Sequence, residues 1–458
     1  MDVLERAFAY VDEHREEYLK DLGEICSFPS TAAHAEALEN TRTWIEKRLE
    51  RAGVSAKRVG GGEGNDMIAA QKNGTKDKTV LFYNHYDVVE PGDPQKWDGG
   101  DPYRVRIENG RMYARGISDN KGPLVSRIQA VEALLAVSGE LPVNVKFFFE
   151  GDEETSSPSM VRYQNMHMEE FQEHTKADVC FWENGRHDQE GNPWSRFGVR
   201  GACAFNLKVT TAATDVHGRM GATVPSASWR LIWALSTLKS SDEKVQIEGF
   251  YDDVIPPTQE ELEFLKKFPY DEEKQKQKLG LKQFVLGASG EELKKRVYLE
   301  PTLSVCGLEA GELYNGPRGI VPHTAWARIS MYLVADQNPD KIAGQLRKHL
   351  DKNGFEDVEV EYLGGTWPVK TSLKTPAADV LDKASELVYH KPMMRELTQL
   401  GSGPAIVFRN AWPELPVIGV GPGNTASNHH APNENLAIED YFNSLKCMIA
   451  FLYEWGKE

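Results

Sequence analysis

The 458-residue chain predicts an α/β fold, a mixed sheet flanked by helices, interrupted by an inserted α+β block. Three observations predict it. Four short runs are almost wholly apolar and rich in β-formers, with helical patterns between them; a central block shows alternating strands instead; and an apolar strand returns after that block. Short apolar runs suit strands covered on both faces, whereas alternation suits a sheet with one open face.

Taken in order, Leu4, Ala7, Phe8, Val11 and Tyr18 recur among charges at helical spacing and predict an amphipathic helix; a second helical pattern covers residues 35–52. After the glycines at 60–62 the pattern turns to strand at 79–83, 143–149 and 177–182, with a helix at 123–137 between the first two. In the central block, alternating stretches at 204–209 and 325–334 predict half-exposed antiparallel strands, with a helix near 226–239. Residues 259–295, rich in Glu and Lys, read as a solvated helical excursion. The strand at 416–420 and the helix at 436–455 resume the first pattern. The expected organisation is a discontinuous domain, 1–201 with 366–458, and an inserted domain, 202–365.

Charge narrows the function. With 53 Lys+Arg against 69 Asp+Glu, a net charge of −16 and a sequence pI near 5.4, the chain lacks the basic footprint of a nucleic-acid binder or of a protein docking on anionic membrane. No run of about 18 apolar residues is present, so no membrane span is expected. The first residues mix acids and bases, unlike a secretory signal. Cys26, Cys180, Cys203, Cys306 and Cys447 are scattered, with no CxxC pair, and read as reduced and mostly buried. The expected location is the cytoplasm.

Each apolar strand leads directly into residues able to hold a metal ion: His85 and Asp87; Glu153 and Glu154; Glu183; and a glycine-rich loop ending in His429–His430. Asp119 begins the helix after 115–118. Singly, these are ordinary features: a His-x-Asp surface pair, a solvated charge run, a helix N-cap at Asp119. Jointly, they stand at four strand ends, where open α/β sheets form their binding crevice. Two histidines and three carboxylates can hold a pair of divalent ions about 3.5–4 Å apart if one carboxylate bridges. One further carboxylate is then required as general base. Glu153 and Glu154 are its candidates; on a continued strand, adjacent side chains point oppositely, so only one would face the ions.

These segments resemble the aminoacylase/carnosinase-type metallopeptidase family, whose fold is a zinc-exopeptidase-like catalytic domain interrupted by a lid and dimerisation domain. The matching stretches are 84–89, 116–122, 150–157, 215–218, 301–303 with Gly307, 401–404 and 430–434, in family order over nearly the whole chain. The branch of carnosinases and cytosolic nonspecific dipeptidases is the most similar. The resemblance implies that His85 and Glu183 hold one ion, Glu154 and His430 the other, and that Asp119 bridges them. It implies Glu153 as general base toward a water between the ions, Asp87 as the group orienting His85, and His217 as an oxyanion donor reaching the partner subunit's site. It further implies a homodimer joined through the lid, and two divalent ions, Zn²⁺ foremost, with Mn²⁺ and Co²⁺ compatible with such ligands.

Two departures stand out. Glu183 occupies a position where many dipeptidases carry Asp, and Tyr332 one where those relatives carry an arginine that grips the substrate's terminal carboxylate. Tyrosine cannot form a bidentate ion pair. Arg318 or Arg200 would have to supply the charge, with Gly401 and Ser402 lining the substrate. The resulting expectation is a dipeptidase or short-peptide exopeptidase. The alternatives are an N-acyl amino acid deacylase or carboxypeptidase of the same family and, outside enzymes, a metal-free binding protein on this fold.

Overall fold

The computed structural model describes residues 2–60, 62, 64–312, 316 and 318–458; Gly61 of the glycine run lies outside them. The chain forms two compact units: Met1–Gly198 with Lys370–Gln399 and Pro404–Glu458, and Val199–Val369 with Leu400–Gly403. The tetrapeptide 400–403, expected in the discontinuous domain, thus joins the inserted one, because the strand Gln399–Ser402 pairs with Gly198–Thr210.

At the centre of the first unit, the strands Asn144–Glu150, Thr79–His85, Val179–Trp182 and Val417–Gly419 lie side by side and parallel. Their side chains are almost entirely buried, as the apolar runs require. From Thr79–His85 the chain passes through the helix Lys121–Ser138 to the strand on one side, then returns to the strand on the other. Strand order therefore reverses at Thr79–His85, which opens a crevice beyond its carboxyl end. Ser55–Val59 and Met67–Lys72 extend the sheet antiparallel at one edge. They escaped the sequence reading because the outer strand is mostly exposed and carries Lys57 and Arg58, residues that protect an edge from pairing.

The N-terminal helix is two helices, Val3–Glu13 and Arg15–Cys26. The break falls at His14, whose Nδ1 lies 2.8 Å from the carbonyl of Tyr10 while the two rings stack. The four central strands begin and end within three residues of expectation. All five cysteines are free, four buried and Cys306 exposed, and among the described residues no helix is long and apolar enough to cross a membrane.

In the second unit the strands Thr302–Ala310, Thr324–Leu333, Gly198–Thr210 and Glu359–Thr366 form an antiparallel sheet in that order. One face buries Phe205, Leu207, Ile329 and Met331 against the helices Ala227–Ser236 and Pro339–Lys352. Thr324–Leu333 alternates between buried and open positions along its length. The excursion comprises the helices Gln259–Lys267, Glu272–Leu279 and Gly290–Leu299, the first started by a Thr258–Glu261 capping box.

Candidate metal centre

His85 is the last residue of its strand and is 1% exposed. Its Nδ1 lies 3.1 Å from the main-chain oxygen of Asp87 and 3.4 Å from that residue's Oδ1, leaving Nε2 turned to Oδ1 of Asp119 at 3.1 Å. A ring proton on Nδ1 makes Nε2 the free lone pair, the arrangement a metal-bound histidine needs. Oδ2 of Asp87 also accepts the backbone N–H of Glu154 at 3.0 Å, tying two strand ends together.

Asp119 is not a helix cap. The following helix is preceded by Asn120, which makes no side-chain capping bond, and the two Asp119 oxygens face the two histidines: Oδ1 toward His85 and Oδ2 toward His430 Nε2 at 3.3 Å. His430 Nε2 also lies 3.2 Å from Oε2 of Glu154. One carboxylate between two imidazoles is the geometry of a bridge.

Glu153 and Glu154 correct one expectation. The strand ends at Glu150, and Glu153–Thr155 is a 3₁₀ turn, so the two side chains are not forced to opposite faces. Both reach the cluster. Ligand atoms of His85, Glu153 and Glu183 lie within 4.8 Å of one another, as do those of His85, Asp119 and Glu154.

The electrostatics call for cations. Burial pushes Glu153 well above the usual carboxylate range, with Glu183 adding to it, and burial raises Glu183 to about 8. Burial opposes charge on His85, yet its hydrogen bonds to Asp119 and Asp87 hold its pKa well up, and bonds to Asp119 and Glu154 raise His430 to about 10. The cluster thus holds protons where divalent ions would compete with them. Oε1 of Glu154 and Oε1 of Glu183 are buried with no hydrogen-bond partner among the described residues. Open lone pairs on oxygens, beside imidazole nitrogen, fit divalent ions of the zinc type.

Sequence reasoning quoted Asn84 and Glu434 only as parts of motifs and missed Arg127. Glu434, fully buried, accepts hydrogen bonds from Arg115 Nη1 and from the backbone N–H groups of Gly116, Ser118 and Asp119, at 2.7 to 2.9 Å. It anchors the loop that presents Asp119 to the loop of His430.

The remaining candidates belong to the second unit. His217 is exposed, and its Nδ1 accepts the N–H of Arg219 at 3.1 Å. Arg318 is exposed and pairs with Glu312 at 2.7 Å. Tyr332, 38% exposed, stands between Ala202 and Thr302 of the neighbouring strands. Arg200 is 4% exposed; its Nη2 donates to the carbonyl of Val297 at 2.7 Å, and it pairs with no carboxylate among the described residues. Gly401 and Ser402 are half-buried on the strand Gln399–Ser402.

Known proteins resemble this chain over nearly its whole length. Rat Beta-Ala-His dipeptidase is 26% identical, aligning over 99% of this chain and 96% of its own length. The Schizosaccharomyces pombe Cys-Gly metallodipeptidase dug1 is also 26% identical, over 98% of each chain. Among solved structures, the M20 family metallo-carboxypeptidase Sso-CP2 from Sulfolobus solfataricus superposes with a TM-score of 0.88 at 34% identity, covering 96% of this chain and all of that one. Human carnosine dipeptidase 1 gives 0.81 at 25% identity, with both chains covered in full. The description "Peptidase family M20/M25/M40" matches residues 81–454, which spans the strand ends and both units: the chain belongs to this peptidase family and is a hydrolytic metallopeptidase.

Proposed function

We propose that this metal-dependent hydrolase cleaves dipeptides or short peptides near a terminus, using two divalent ions. The observation that carries the reading is the placement of Asp119 between His85 and His430, with Glu154 against His430 and Glu183 grouped with His85. His85 and Glu183 hold one ion, Glu154 and His430 the other, and Asp119 bridges; Zn²⁺ suits the donors, as do Mn²⁺ and Co²⁺. When bound, such ions polarise the scissile carbonyl and acidify a water. Glu153, raised in pKa and beside both His85 and Glu183, takes the proton from the attacking water and returns it to the leaving amine. Asp87 keeps the His85 ring in the tautomer that offers Nε2.

His217 serves as oxyanion donor. The N–H of Arg219 occupies its Nδ1, so the ring proton sits on Nε2 and is available to donate. In this reading it acts in the site of a second copy. A homodimer through the second unit is supported by two features there: Trp229, Ile232 and Trp233 stand exposed on the helix Ala227–Ser236, and Thr302–Ala310 is an edge strand exposed along most of its length. The five unpaired thiols support a cytoplasmic location.

A carboxypeptidase or N-acyl amino acid deacylase activity is the second reading, favoured by Tyr332 and by the likeness to the metallo-carboxypeptidase Sso-CP2. Because Arg318 is already paired with Glu312, Arg200 is the better candidate for a substrate carboxylate, with Tyr332, Gly401 and Ser402 adding contacts. Incubating the metal-loaded protein with dipeptide, N-acyl amino acid and N-blocked peptide panels separates these. Dipeptide hydrolysis is expected; turnover of acylated or blocked substrates alone would overturn the first reading.

A further inference from the structure

We propose that Arg127 is a positioning residue that sets the His85–Glu183 half of the metal centre before an ion arrives; this rests on the dinuclear reading above. Arg127 lies in the helix Lys121–Ser138, 1% exposed, and none of its hydrogen bonds goes to a carboxylate. They converge instead on the carboxyl ends of three adjacent strands. Nη1 donates to the main-chain oxygens of Tyr83 at 2.5 Å and Phe181 at 3.0 Å, and to Oδ1 of Asn84 at 2.5 Å. Nη2 donates to the main-chain oxygens of Glu183 at 2.8 Å and Val420 at 3.1 Å.

Parallel strands that stop at a buried crevice leave carbonyl groups without ladder partners, and each must be satisfied or bear the cost of burial. Here a single guanidinium donates to four, of which those of Tyr83 and Glu183 accept a second hydrogen bond as well. The consequence is sharpest at Glu183, whose backbone sits at φ 33°, a conformation disfavoured for any residue with a Cβ. Its carbonyl is held there by Arg127 and by Nδ2 of Asn84 at 3.2 Å, and its N–H by the carbonyl of Tyr83 at 3.0 Å. Fixing the peptide on both sides decides where the carboxylate leaves the backbone. Asn84 is itself clamped by Arg127 and precedes His85 directly, so both ligands of one ion depend on the same knot. The other half leans on it less directly: Glu154 is tied through Asp87, and the loop of His430, although Arg127 holds its start at Val420 ten residues earlier, is anchored next to the histidine through Glu434.

This asymmetry yields a test that a merely structural role would fail. Full-length wild type, R127M, R127K and N84A are stripped with chelator, checked by thermal unfolding without metal, and titrated with Zn²⁺ against a chromophoric chelator. Wild type is expected to bind two ions. R127M is expected to weaken one affinity about 10–100-fold while the other stays within about threefold; R127K, which keeps the charge but loses the fork, and N84A fall between. If R127M does not fold, R127K and N84A carry the same expectation. Two ions in wild type with both affinities falling together in the variants, or neither changing, overturns the role of Arg127. Fewer than two ions in wild type overturns the dinuclear reading itself.

Discussion

In the first unit, His85 and Glu183 are at most 9% exposed and each is held by several hydrogen bonds before any ligand is present, whereas in the second unit His217 and Arg318 stand on the surface, the one bonded to the N–H of Arg219 and the other paired with Glu312. The buried set is over-determined by strand ends, and its chemistry can be read from one chain. The exposed set is not: such residues acquire their role from a substrate or a second copy. Preorganised groups make the larger contribution to a chemical step, and adaptable ones set what is recognised.

The contrast breaks most decisively at Glu153. Glu153→Ala is expected to lower kcat by about 10³-fold or more while metal analysis still finds two ions per chain. Loss of metal along with activity would move Glu153 into the ligand set. In the second unit, Trp229→Glu with Trp233→Glu is expected to convert a dimer into monomers in sedimentation velocity; a wild-type monomer would contradict the dimer.

A subtler effect is expected at Arg200. Arg200→Gln should raise KM about tenfold or more for dipeptides with a free terminal carboxylate and leave C-amidated analogues unchanged. An equal rise for both would assign Arg200 to the fold alone. The smallest effect concerns pH. Glu153 and Glu183 have folded-state pKa values above their unfolded ones, so what they contribute to stability is present at acid pH and lost as pH rises, for Glu183 through about 8. Asp119 works oppositely, but only as pH falls below the ordinary carboxylate range. Metal-free protein should therefore lose several degrees in Tm between pH 5 and 8, and added Zn²⁺ should remove that slope. A flat profile without metal would contradict the burial argument.

What the sequence made legible follows the same division. The four central strands were readable because burial on both faces leaves unbroken apolar runs, and His85, Glu154, Glu183 and His430 because each follows the end of such a run, with Asp119 at the start of the helix between the first two. The turn at Glu153–Thr155 was not readable, since three polar residues after a strand look alike whether the strand continues or curls. Nor were Arg127 and Glu434, whose partners are main-chain groups 40 or more residues away and leave no local pattern. Edge strands such as Ser55–Val59 and Thr302–Ala310 were obscured because exposure on both faces removes the alternation that marks a strand.

The central claim is that His85, Glu154, Glu183 and His430, beyond four strand ends, hold two ions with Asp119, just before the helix Lys121–Ser138, between them. Anomalous diffraction from crystals of the Zn²⁺-loaded protein tests it directly. Two zinc peaks about 3.5–4 Å apart are predicted, one against His85 and Glu183 and one against Glu154 and His430, with Asp119 touching both and Glu153 touching neither. A single peak, or one coordinated by Glu153, would contradict the account.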